Sequence, residues 1–172
     1  MNYYLIDTSA FIHAIENAGK TKKDFFTEKS LGQAFLYMPQ FCVTEVFNVY
    51  AKFFHRFKKI TTSQEYEKWR KHFIQLIHRQ LEPPLTNENM IYCYDLHRYH
   101  NLNAQEIYEV EHTTPYSNKK SSLSSFDILV IAMGMELKKI HEPNPVIILT
   151  RDGRLKRISN MRPNFATAEW FE

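Results

Sequence analysis

Cysteine, glycine and long apolar runs are all scarce in this chain. Its 172 residues hold only two cysteines, Cys42 and Cys93, which form neither a CxxC pair nor a metal-finger spacing. That excludes a disulfide framework and suits two reduced, packed thiols in a cytoplasmic protein. Four glycines, beside 44% hydrophobic and 24% charged residues, exclude a disordered or low-complexity chain. No stretch approaches ~18 uninterrupted apolar residues, so no membrane span is expected. Only the apolar run Tyr3 to Ile6 precedes the first acid, Asp7, which is too little for a signal peptide. Internal repeats are absent. The net charge of +3 permits an anionic partner without requiring one.

What is present suits one domain spanning 1–172, long enough to bury a sizeable core. Residues 2–6 read as a strand. Ala10, Phe11, Ala14, Ile15 and Ala18 then form a helical stripe over 8–18, with Gly19 as its stop. "KTKKDFFTEKS" reads as a polar connection and 35–38 as a short strand. Pro39 opens a helix whose apolar face is Val46, Phe47, Tyr50, Phe53, Phe54 and Phe57. A helix over 63–80 points Tyr66, Trp69, Phe73, Leu76 and Ile77 inward. A short strand is expected within "LEPPLT" (81–86) and a helix over about 87–100. Residues 102–124 read as an irregular excursion, with room for one short helix at 104–111. "SSFDILVIAMGMELKKI" is a helix, "NPVIILT" a buried strand, "RDGRLKRIS" a turn into a short helix, and "NFATAEWFE" a last strand. Unbroken apolar strands alternating with helices predict an α/β fold with a parallel sheet covered on both faces.

In such sheets ligands bind beyond the carboxyl ends of the strands. Asp7 and Asp152 both follow predicted strands. Glu45 lies near the start of the helix that Pro39 opens, and Asp127 opens the helix after "SS". Four carboxylates from four segments can therefore meet at one rim. Converged carboxylates repel, and a hard divalent cation removes that conflict. Such a site suits phosphodiester hydrolysis. Each acid also has a plainer reading. Asp7 fits a helix N-cap, Asp127 a capping box with Ser124, Asp152 a turn with Gly153, and Glu45 a charge favoured by the helix dipole.

The stretches "YLIDTSAFI", "VTEVFNVY", "SFDILVIAMGMEL" and "IILTRDGRLKR" resemble, in order, the four acidic motifs of the PIN-domain family of metal-dependent ribonucleases. Within that family they are most similar to the toxin ribonucleases of bacterial toxin–antitoxin pairs. The resemblance implies a three-layer α/β/α sandwich around about five parallel strands. It implies a metal-binding and catalytic quartet of Asp7, Glu45, Asp127 and Asp152, with Thr8, Ser9 and Thr150 as accessory polar residues. It further implies Mg²⁺- or Mn²⁺-dependent endonucleolytic cleavage of RNA. The 102–124 excursion departs from the family's short link before its third motif.

Basic residues add to this. Lys52, Arg56, Lys58, Lys59, Lys68, Arg70, Lys71 and Arg79 crowd 52–79, and Arg151, Arg154, Lys156 and Arg157 abut the last acid. The second group is the one expected to hold an RNA backbone beside the acids. Tyr108 and Tyr116 in the excursion are candidates to stack on a base. A catalytically silent RNA-binding or scaffold domain is the alternative. A phosphatase of the dehalogenase-like kind would want D-x-D where this chain has "DTS". Large apolar faces within 20–80 offer area for a homodimer or a small antitoxin-like inhibitor, and nothing in the sequence separates these from plain core.

Overall fold

The computed structural model describes residues 1–17, 25–78, 91–114 and 122–172. The chain runs β1 (Asn2–Ile6), α1 (Thr8–Glu16), α2 (Phe25–Ser30), β2 (Ala34–Pro39), α3 (Gln40–His55), α4 (Ser63–His78) and β3 (Ile91–Tyr94). It continues through α5 (Arg98–Thr113), α6 (Ser125–His141), β4 (Val146–Thr150), α7 (Gly153–Ser159) and β5 (Thr167–Trp170). The five strands form one parallel sheet in the order β3-β2-β1-β4-β5. Helices α1, α3 and α4 pack together over β2, β3 and β4. Helices α5, α6 and α7 pack together over β1, β4 and β5. This is the α/β PIN-like arrangement.

The strand order reverses between β1 and β4. The chain steps outward through β2 and β3, then crosses back to β4 on the other side of β1. Crossover chirality places the two sets of helices on opposite faces. It also opens a crevice at the carboxyl ends of β1 and β4, the switch point where ligands bind in such sheets. Asp7 follows β1 directly, and its backbone N–H donates to the Leu149 carbonyl of β4 at 3.0 Å.

Local chemistry accounts for the elements. Helix α3 buries Cys42, Val46, Tyr50 and Phe53 at i, i+4, i+8 and i+11, one stripe of a 3.6-residue period. Phe57, expected on that face, lies past the helix end and is exposed. Helix α6 is buried on nearly every side, because it lies between the sheet and α5. It approaches the sheet closely at Gly134, where a Cβ would stand 2.8 Å from Ile148 Cδ1 and 3.1 Å from Ala166 Cβ.

Several expectations need correction. The helix expected over 87–100 is instead a strand at 91–94 followed by a helix from Arg98. "IYCY" is rich in β-branched and aromatic residues, and its ends, Ile91 and Tyr94, are buried. Of the irregular excursion expected at 102–124, residues 102–113 belong to helix α5, and residues 115–121 lie outside the described residues. The helix's inward stripe of His100, Ala104, Ile107, Val110 and Glu111 includes two polar residues, which broke the apolar period. Helix α2 falls within the stretch read as a polar connection, and Pro39 ends β2 and caps α3 rather than starting its first turn. The expected Gly19 stop, the strand within 81–86, Arg79 and Tyr116 lie outside the described residues. Among the described residues no helix is long and apolar enough to cross a membrane.

Candidate functional site

Asp7 is buried at the switch point. It occupies the N-cap position of α1, yet its side chain makes no cap hydrogen bond. Its Oδ2 instead accepts hydrogen bonds from two hydroxyls, Ser9 Oγ at 2.6 Å and Thr150 Oγ1 at 2.8 Å. Each hydroxyl also accepts from a backbone N–H of the β4–α7 turn: Ser9 from Arg151 at 2.8 Å, Thr150 from Asp152 at 2.9 Å. The carboxylate, which follows β1, is thereby tied to the backbone of the β4–α7 turn.

Glu45 reaches the same place from α3. Thr8 Oγ1 donates to Glu45 Oε2 at 2.7 Å. One oxygen each of Asp7 and Glu45, with the Cys42 sulfur, lie within 4.8 Å of one another. Among the described residues, no donor meets Asp7 Oδ1 or Glu45 Oε1, and no cationic side chain pairs with either acid. Burial holds the Asp7 carboxyl above its ordinary value of 3.8, and the charges of Asp127 and Glu45 push the same way. The Ser9 and Thr150 hydrogen bonds oppose them without prevailing.

The other two acids stand at the same rim with prior commitments. Asp127 opens α6 in a full capping box. Its Oδ2 accepts from Ser124 N at 2.9 Å and Ser124 Oγ at 2.7 Å, while its own N–H donates to Ser124 Oγ at 3.2 Å. It is near enough to act electrostatically on both Asp7 and Arg154. Asp152 caps α7 through Arg154 N at 2.7 Å and forms an ion pair with Arg154 Nη2 at 2.5 Å. Burial would raise Asp152, but these bonds hold it below the usual carboxylate range.

Two of the four predicted acids therefore converge directly, and two stand at the rim with partners of their own. Arg154 is committed to Asp152 and to the Ser122 carbonyl at 3.0 Å. The Arg151 guanidinium lies against the His13 ring and 5.3 Å from the centre of the Trp170 ring. Lys156 and Arg157 lie on α7, the first half-buried and the second exposed. Cys42 was not among the expected site residues, since a lone cysteine on an apolar stripe gives no signal of chemistry. Burial pushes its thiol up, and the Asp7 and Glu45 charges add to that, so it stays protonated beside them.

The donor set fits a hard divalent cation. Two carboxylates each present an uncommitted oxygen, one of them is buried without a counter-charge, and burial disfavours the thiolate of the Cys42 beside them.

No protein-family model matches the chain. No curated protein matches it in sequence. Its fold is similar to a crystal structure of VapBC2 from Rickettsia felis bound to a DNA fragment from their promoter, with a TM-score of 0.61 over 99% of each chain at 12% identity.

Proposed function

We infer that this chain is a metal-dependent endoribonuclease of the PIN type, hydrolysing phosphodiester bonds of RNA. The observation that carries it is the meeting of Asp7 and Glu45, each with an uncommitted oxygen, at the crevice where the strand order reverses. Asp7 and Glu45 would hold Mg²⁺ or Mn²⁺ directly, with Asp127 and Asp152 holding it or its waters. When bound, the metal supplies a water of lowered pKa and neutralises charge on the phosphate. Ser9 and Thr150 fix the Asp7 carboxylate by occupying its Oδ2, which leaves Oδ1 for the metal. Thr8 does the same for Glu45. Arg151, Arg154, Lys156 and Arg157, which follow β4, would hold the RNA backbone beside the acids. In the same reading, the chain is the toxin of a toxin–antitoxin pair, with a small antitoxin-like protein as its inhibitor.

A specific observation favours the silent RNA-binding alternative: Asp152 is already paired with Arg154. Cleavage of a labelled structured RNA decides between them. The purified chain is incubated with Mg²⁺, Mn²⁺ or EDTA beside a folded Asp127→Asn variant. Cutting that requires metal and is lost in the variant supports the nuclease. RNA binding without cutting in any metal supports the silent module.

A further inference from the structure

The proposed nuclease site is flanked by aromatic side chains on both sides. Phe41 precedes Cys42 at the start of α3 and lies one turn ahead of Glu45, on the same helical face. Its ring stacks on Phe126, with centroids 5.2 Å apart and an interplanar angle of 24°. Phe126 immediately precedes Asp127 and is 50% exposed. The pair thus sits at the lip of the acid pocket, on its β2 side, with one large apolar ring half open to solvent.

On the β5 side, Trp170 ends the edge strand, in register with Thr150 of β4. It is 39% exposed and lies against the Arg151 guanidinium. The rim therefore reads, in strand order, Phe41 with Phe126 after β2, Asp7 after β1, Thr150 to Asp152 after β4, and Trp170 at the end of β5. Three strand spacings put β2 and β5 ~14 Å apart, with the carboxylates between them.

We propose that Phe126 and Trp170 are the base-stacking groups of this site, holding unpaired nucleobases on the two sides of the phosphate that the acids address. The inference rests on the ribonuclease reading and assigns its substrate contacts. Aromatic faces stack any base, and Arg against an aromatic face adds a cation at the same place. A paired duplex keeps its bases in the helix and cannot offer them to two rings across a carboxylate pocket. Phe41 acts as a positioning residue, backing Phe126.

The test uses the full chain carrying Asp127→Asn, so that binding is read without cutting. Anisotropy of a labelled, unstructured RNA oligomer in Mg²⁺ gives the affinity. Adding Phe126→Ala should weaken binding roughly 5- to 100-fold, and Phe126→Tyr should restore it. A ribose-phosphate chain of equal length without bases should bind both proteins equally. The chain has two tryptophans, so Trp69→Phe leaves Trp170 as the sole emitter, and saturating RNA should quench it. An Ala variant that binds RNA as tightly as its parent overturns the proposal, as does an equal loss on the base-free chain or an unquenched Trp170. A wild-type chain that cuts RNA beside any of these results keeps the nuclease and loses only the stacking. A chain that neither cuts nor binds RNA in any metal loses both.

Discussion

Asp7 stands under two opposed demands. Its proposed role as a metal ligand requires a carboxylate, and its surroundings penalise one, since burial and the nearby Asp127 and Glu45 charges all raise its pKa. The Ser9 and Thr150 hydroxyls soften the penalty without removing it. A neutral side chain of the same shape should therefore suit the fold better than the native acid. Asp7→Asn is expected to raise the melting temperature in metal-free buffer, since it removes a buried charge that lacks a counter-ion. The same change should reduce RNA cutting by more than the ~10–100-fold typical of losing an outer partner of a metal ligand. Adding Mg²⁺ should raise the melting temperature of the wild type and leave that of the variant nearly unchanged, because only the wild type gains a bound ion. Thermal melts of both proteins with and without Mg²⁺ check this. A variant less stable than the wild type in EDTA would mean that Asp7 is structural.

At the scale of elements, a polar clamp joins β3, α5 and α6. The Tyr94 hydroxyl and His100 Nε2 both donate to Glu136 Oε2, and the His97 backbone N–H donates to His100 Nδ1 at 2.8 Å. That pattern puts the imidazole proton on Nε2. Burial pushes fully buried His100 down despite the neighbouring carboxylate, so the ring is neutral. Burial alone would raise Glu136, but the Tyr94 bond, and then His100, hold it below its usual value of 4.5. A carboxyl depressed in the folded state stabilises the fold above its unfolded value, and that contribution is lost as pH falls through the folded one. Urea midpoints followed from about pH 6 to about pH 3 should fall. Glu136→Gln should flatten part of that fall and leave the shares due to Asp152, which Arg154 also depresses, and to buried His100, which must take up a proton in acid. A slope unchanged in the variant would remove Glu136 from the account. The same clamp shows where sequence pattern stops being informative. Strands β1 and β4 and helices α1, α3, α4 and α6 follow from apolar period alone. Helix α5 does not, because His100 and Glu111 take buried positions through hydrogen bonds that only the tertiary structure supplies. The Leu123 backbone N–H, for example, donates to Glu111 Oε1. Strand β3 is four residues long and next to "DLHRY", too short for a period to show.

At the scale of the molecule, the rim where the four acids stand was legible while their pairing was not. Acids that follow strands and open helices gather at one rim of any parallel sheet, so Asp7, Glu45, Asp127 and Asp152 could be placed from order alone. Which oxygen is free depends on local donors: Ser124 takes up Asp127, Arg154 takes up Asp152, and two hydroxyls hold one side of Asp7. The same separation governs the basic residues. Helix α7 begins at Gly153, next to the rim, whereas α4 packs on α3 and β3 toward the opposite edge of the sheet. A polyanion addressed by the acids should then feel α7 and not α4. For single strands, each phosphate neutralised contributes about 0.7 to the slope of log affinity against log salt. Lys156→Gln should lower that slope by ~0.7 for an unstructured RNA, while Lys68→Gln on α4 should leave it as it is. Salt titrations of RNA anisotropy on the Asp127→Asn background measure both. Equal slope changes from the two substitutions would mean that RNA spreads over the whole basic surface, and a loss confined to Lys68→Gln would move the backbone track to the α4 side of the sheet.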